Sequence, residues 1–531
     1  MVRRVLSRLR EDLPTAARRH WLFLTLLAVG LALRVVVMIA YRPVLLYIDS
    51  LGSYLSSLPK LDPSGQDTIG YDVILLKPVF AVGTLATVAA VQHLLGLGMA
   101  VVAYALVVHK GRLDAPLWRA LAALATAPIL LDAYQLDIEH MIMSDPLFQA
   151  LLVAAFAVLA WPERPNLWRA AAAGLLLGAA VTVRAVGELM ILAAVAYLLV
   201  ATRGWWRRGL LAATATAAFA LPVAIYVAHF HAVAGRWDLT NVSGDTLYGR
   251  VATFADCTGV AMPSYERPLC PTIPLDKRFG PDYWAHDPAS PANHRIQAPP
   301  RRTSDFVLRD FSLRIIRHQP LEIARSVLFD SVRLFSWQRG NGKDTGQPVV
   351  QRWQFQAGYT WYPPVVTEDT AAAAGATYGG GPARVVLPLA EALRWYQLHI
   401  GYTPGPVIAV CLLLALLVLC GVPRRVRGSP LRPVLLLYLL GTVIVILLAD
   451  VFLFSWRYQL PAYVLLPGAG VLALAAMRRP RPATPAEPDD RETVPEVPHE
   501  GCRNDSLPER GIDPALGLPA HADVDSGSGQ H

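Results

Sequence analysis

Charge is what this sequence has least of. Asp, Glu, Lys and Arg together make up 17% of its 531 residues, against roughly a quarter in soluble domains. That shortage excludes an ordinary water-soluble globule, which needs more polar side chain to cover its surface. Cysteine is also scarce, with 5 in the whole chain, so a scaffold built on disulfides is excluded. No internal repeat is visible, which speaks against a transporter made of inverted repeats. The first apolar stretch, residues 21–41, lacks a small-residue cleavage site and is too long for the core of a secretion signal. It is expected to stay in the chain as a helix.

What is abundant is apolar. Hydrophobic residues account for 54%, in stretches of roughly 18–25 residues, long enough to cross a hydrocarbon layer of about 30 Å. The reading is an all-α polytopic membrane protein with about ten transmembrane helices. They are expected near residues 21–41, 79–108, 119–133, 144–160, 168–186, 188–201, 208–230, 403–422, 433–454 and 458–477. The net charge of +8 does not call for nucleic acid, because the basic residues gather in short loops. "MVRRVLSRLR", "HKGR", "RPNLWR", "RGWWRR", "PRRVR" and "RRPRP" all fall on one side if every span is real. The positive-inside rule makes that side the cytoplasm of a multi-pass cell-membrane protein, with both termini inside.

The domain plan follows. Residues 1–20 form a cytoplasmic segment, 21–230 an N-terminal membrane module, 231–402 an extracytoplasmic region, 403–477 the last membrane helices and 478–531 a tail. The tail is rich in Pro, Asp, Glu and Gly without apolar periodicity and reads as disordered. Residues 231–402 are too many for a simple connection. Within them "DFVLRDFSLRIIRHQPLEIARSVLFDSVRLFSW" reads as two amphipathic helices broken at Pro320, lying on the outer membrane surface or on the outer ends of the spans. Cys257 and Cys270 share this outward region, where a disulfide or two free thiols are both open.

The outer face collects charge. Asp49, Lys77, Asp137, Glu139, Asp145, Arg184, Glu188 and Arg457 all fall there, and ionisable groups near hydrocarbon usually pair or serve a function. Plain roles exist for several. Asp49, opening "YIDSLGSYLSSL" after its first two residues, could cap a helix over 50–58. Arg184 and Glu188 could be a paired turn, and Arg457 an interfacial anchor beside Trp456 and Tyr458. Together these roles leave the concentration of acids and bases on one face unexplained. A lipid-linked sugar donor asks for such a mixture. Its phosphate wants Arg or Lys, and a hydroxyl acceptor wants one carboxylate to take its proton. The lipid phosphate leaves as a stable anion, so no general acid is required, and direct displacement inverts the sugar carbon.

Several stretches, in order, resemble the GT-C superfamily of membrane glycosyltransferases, nearest the bacterial relatives of protein O-mannosyltransferases and lipid A aminoarabinose transferases. Arg34 precedes the outer-loop acid Asp49, which stands where that family has its catalytic acid. "GYDVILLKPVF", "VQHLLGLGMAVVAYAL", "EHMIMSDPLF", "GLLLGAAVTVR" and "LPVAIYVAHFHAVAGRWDLTNVSGDTLYGR" are similar to successive family segments, and "WRYQLPAYVLLPGAG" to its closing motif. The likeness spans roughly residues 20–480. The chain departs from the family at Ser50, where many members have a second acid, and at Ala185, where a proline is common. The resemblance implies a GT-C-like bundle and a polyprenyl-phosphate sugar donor.

The expectation is therefore an inverting glycosyltransferase working on the outer face. Asp49 is the general base, and Glu139 or Asp145 orients acceptor or base. Arg184, Arg457 and Lys77 are the candidate phosphate ligands. The acceptor is a glycan, lipid or protein hydroxyl. No cofactor is called for, with a divalent metal left open. A lipid-sugar flippase and a non-catalytic envelope protein are the alternatives. The loop reading has a direct check: a cysteine placed at Thr246 is expected to react with an impermeant maleimide in intact cells, and labelling only after permeabilisation would overturn both topology and mechanism.

Overall fold

The computed structural model of the chain describes residues 17–63, 65–339 and 351–478. The expected disordered tail and most of the N-terminal segment lie outside these residues. The long apolar runs fold as helices because in hydrocarbon each backbone N–H and C=O must be satisfied within its own segment. Among the described residues, five helices are long and apolar enough to cross a membrane: α1 (Trp21–Ala40), α2 (Leu85–Gly111), and three more named below. Thr84 and Thr87 form a capping box at the start of α2, and Arg112 ends it in the left-handed conformation.

The expected span over 119–133 is not one helix. It is two short ones, α3 (Pro116–Leu124) and α4 (Ala127–Leu131). Pro128 has no N–H to give the preceding turn, and the Thr126 hydroxyl donates instead to Ala123 O at 2.7 Å. Next come α5 (Ala133–His140), α6 (Asp145–Ala160), α7 (Leu167–Val183) and α8 (Met190–Ala201), followed by the long α9 (Trp205–Ala234). Of these α6, α7 and α8 are apolar but shorter than 18 residues. Gly174 and Gly178, one turn apart on α7, let α9 approach closely: a Cβ at either would lie 2.2–2.3 Å from the carbonyl oxygen of Ala215 or Phe219.

The region that follows α9 carries its own core. Around α10 (Ser243–Ala252) and α11 (Ser304–His318), Tyr248, Val251, Trp284, Phe311 and Ile315 are buried together. Cys257 and Cys270 form a disulfide beside this core. The break expected at Pro320 is found, with α12 (Pro320–Val332) following at once. Leu321, Leu328 and Phe329 on α12 are exposed. The chain then returns through α13 (Leu387–His399), the apolar but short α14 (Gly405–Leu419), α15 (Arg432–Phe452) and α16 (Trp456–Arg478). With α15 and α16 the tally of five long helices is complete.

The loop after α1 is held from several sides. Tyr41–Arg42 pairs antiparallel with Arg384–Val385, Leu45 N donates to His140 O at 3.2 Å, and the Ser50 hydroxyl donates to Ile142 O at 3.0 Å. Beneath it lies a buried ion pair. Arg34 donates to both oxygens of Glu139 at 2.8 and 2.9 Å, and its Nη atoms also reach the carbonyls of Gly30, Leu130 and Ile129 at 3.0 Å. His93 Nδ1 stands 3.0 Å from the same carboxylate. Gly96 leaves room for the pair, since a Cβ there would meet Glu139 Oε1 at 2.0 Å. Removing one partner leaves an uncompensated buried charge, so Glu139→Ala is expected to destabilise the protein by about 3–5 kcal/mol. Thermal unfolding in detergent checks this, and an unchanged melting temperature would mean the pair is dispensable.

Candidate functional site

Asp49 follows the short strand at Tyr41–Arg42, and its backbone is already helical, at φ −63° and ψ −32°. Its side chain caps no helix. The carboxylate instead accepts from Arg457 Nη1 at 2.7 Å, so the capping role expected from spacing is replaced by an ion pair. Arg457 sits in the first turn of α16, and its Nη2 donates to the Tyr458 hydroxyl at 2.9 Å. A second pair lies alongside. Arg184, at the end of α7, donates to Asp145 Oδ2 at 2.6 Å, and Asp145 opens α6. Both guanidinium groups lie over the Tyr458 ring, at 5.0 and 4.8 Å from its centre.

These groups line one cavity of about 690 Å³, within the range of small-molecule sites. Asp49, Asp145, Arg184 and Arg457 all reach it. One wall is apolar, from Val445, Leu448, Ala449 and Phe452 on α15. The roof comes from the region between α9 and α13: Arg352 donates to Asp282 Oδ2 at 2.7 Å, and Trp353 stacks over Arg457 with its ring centre 5.0 Å away. Arg457 Nε is buried and has no hydrogen-bond partner. A buried donor without a partner is costly, and it marks this guanidinium as able to take one further acceptor.

Two expected site residues lie elsewhere. Glu139 belongs to the buried pair with Arg34 and does not line the cavity. It points inward because α5 is buried at every residue, and no spacing rule distinguishes that from an outward loop. Lys77 is exposed in the short helix Lys77–Phe80 and also does not line the cavity. The Arg184–Glu188 turn pair is not among the ion pairs of the described residues; Arg184 turns to Asp145 instead. Asp137 is fully buried with both carboxyl oxygens unpartnered.

Sequence reasoning missed Asp67. It lines the cavity beside Asp49, and the density of acids in the loop was the one sign of it. Burial, and then the neighbouring Asp49 carboxylate, push its carboxyl up to about 6, against the opposing pull of Arg457, Arg184 and the Ser53 hydroxyl. Tyr47, Arg352 and Trp353 were missed too, and nothing local marks them. No group of three or more His, Cys, Asp or Glu among the described residues is arranged to hold a metal ion.

No family model matches the chain, and no curated protein or solved structure matches it either.

The raised value of Asp67 fixes a sign. Its folded-state value lies above the ordinary carboxylate value of about 3.9, so its contribution to stability is fully present below about pH 4. That contribution is lost as pH rises through about 6. Wild-type protein is therefore expected to lose stability over this window relative to Asp67→Asn, which has no proton to lose. Melting curves of the two from pH 4 to 8, in the units of roughly one pH step, check this; parallel curves would mean that Asp67 titrates as an ordinary carboxyl.

Proposed function

We propose that the protein is an integral-membrane, inverting glycosyltransferase that moves a sugar from a polyprenyl-phosphate donor to a hydroxyl acceptor on the outer face. One observation carries this reading: a single cavity joins Asp49 to two arginines, Arg184 and Arg457, against an apolar wall of α15. Arginine suits a phosphate because its planar donors match the oxygens in pairs. The spare Nε of Arg457 is a donor for that purpose. The apolar wall suits the first isoprene units of the lipid.

In the reaction Asp49 takes the proton of the acceptor hydroxyl while its oxygen attacks the anomeric carbon. The bond from that carbon to the phosphate oxygen breaks, and the lipid phosphate leaves as an anion held by Arg184 and Arg457. Asp145 orients the phosphate ligand Arg184 rather than the acceptor or the base, and Glu139, off the cavity, takes neither part. The acceptor is a cell-envelope glycan, a lipid or a secreted protein. About ten crossings in a GT-C-like bundle, with both termini inside the cell, belong to the same proposal. The five long helices are then joined by α6, α7, α8 and α14 and by the broken pair α3–α4. A flippase would hold its ionisable groups free near the bilayer midplane; the Arg34–Glu139–His93 cluster is instead paired and lies off the cavity.

The test separates catalysis from ion pairing at Asp49. Asp49→Asn keeps an acceptor for Arg457 but cannot take a proton. Transfer from a labelled polyprenyl-phosphate sugar in membranes is expected to fall by roughly 10² or more, with donor affinity unchanged or tighter because Arg457 is less engaged. If Asp49 is only a structural partner, turnover should stay near normal or track a loss of folded protein.

A further inference from the structure

A second cavity lies at the other end of α1 from Asp49, about 30 Å away at 1.5 Å per helical residue. It has a volume of about 230 Å³ and is lined by Arg18, Arg19, His20, Trp21, Tyr104 and Arg119 among others. Three arginines line it, and no carboxylate does so among the described residues. The counter-charge nearby is Asp114, which meets Arg19 at 2.9 Å. That pair is half or more exposed on both sides, where an ion pair contributes little.

Arg119 keeps its Nε buried and without a partner. The first turns of α1 and α3 both border the cavity, and neither has a side-chain cap or an acidic residue there. The positive end of α3 thus adds to the three cations, while α1 follows directly on the helical residues 17–19. His20 reports the resulting field: partial burial, then Arg119 and Arg19, hold its ring below the ordinary histidine value. The ring is fixed by Tyr104, whose hydroxyl lies 2.7 Å from Nδ1, and Tyr104 stacks on Phe23 with centres 4.0 Å apart. Trp21, 63% exposed, is a ring type that settles at the headgroup level of a bilayer. Leu22 and Phe23 give the lining an apolar part beside the arginines.

From this arrangement we infer that Arg18, Arg19 and Arg119 form a binding site for a phosphate anion at the end of the bundle that carries the basic loops. The inference is independent of the glycosyltransferase reading. The phosphate has two possible sources, the headgroup of an anionic phospholipid and a soluble phosphate, and the chemistry of capture is the same for both. Basic pockets between membrane helices bind anionic headgroups by this means.

Native mass spectrometry of the full-length protein in detergent, titrated with phosphatidylglycerol or phosphatidylcholine, tests it. Phosphatidylglycerol is expected to bind at least about tenfold more tightly, a factor equal to about one charge-assisted hydrogen bond. Arg18→Gln/Arg119→Gln should abolish that preference, while Arg18→Lys/Arg119→Lys, which keeps the charge, should retain most of it. Arg425→Gln, in a different basic loop, should leave it intact. Excess inorganic phosphate that displaces the lipid assigns the site to a soluble phosphate, and a lipid that resists displacement assigns it to a headgroup; either keeps the site. Equal binding of the two lipids, together with no binding of inorganic phosphate that the double glutamine variant loses, overturns it. So does an unchanged preference in the double glutamine variant, or an equal loss in Arg425→Gln.

Discussion

The ion pair between Asp49 and Arg457 closes the molecule on itself. Its partners are 408 residues apart in sequence, one in the loop after α1 and the other in the first turn of α16. An ion pair is weak support for stability when water can reach it, but at 9% and 14% side-chain exposure this one is largely desolvated. Each charge therefore needs the other, and the two ends of the bundle are held in register. The cavity exists because of that register: the arginine brings Tyr458 with it, Tyr458 underlies Arg184, and Arg184 holds Asp145.

The same rule, that a charge taken out of water must meet its opposite, organises the layer below. Arg34 and Glu139 neutralise each other and spend the remaining arginine donors on three backbone carbonyls. That saturation is what separates the two arginine sites chemically. Arg34 has no donor left for a ligand, whereas Arg457 has one. On α10 Arg250 plays a similar structural part, donating to Asp330 at 2.6 Å and to Asp450 O at 2.7 Å, and so fastens α10 and α12 to α15, whose other face lines the cavity.

Much of this was legible in the chain. The apolar runs mark the long helices, since length and composition alone decide whether a helix can cross hydrocarbon. Pro320 marks the break between α11 and α12, because a proline cannot continue the preceding turn. The pairing of the acid Asp49 with the closing Arg–Tyr of "WRYQ" was not readable, although each was singled out alone. Glu139 and Asp145, six residues apart on one short stretch, were both candidates for the orienting role, with Asp145 the better match to the resemblance. They differ because α5 is buried on all sides while Asp145 starts a helix at the cavity edge.

By itself the sequence determined the helical class, the apolar lengths, the two amphipathic helices broken at Pro320, and the set of charges from which a site could be built. Tertiary structure decided which charges meet. It turned Glu139 inward to Arg34, left Lys77 at the surface, and brought Asp67, Arg352 and Trp353 to Asp49. The reason is that hydropathy is a property of each residue, readable one position at a time, whereas the partner of a buried charge is whichever opposite charge the packing of distant helices places within reach.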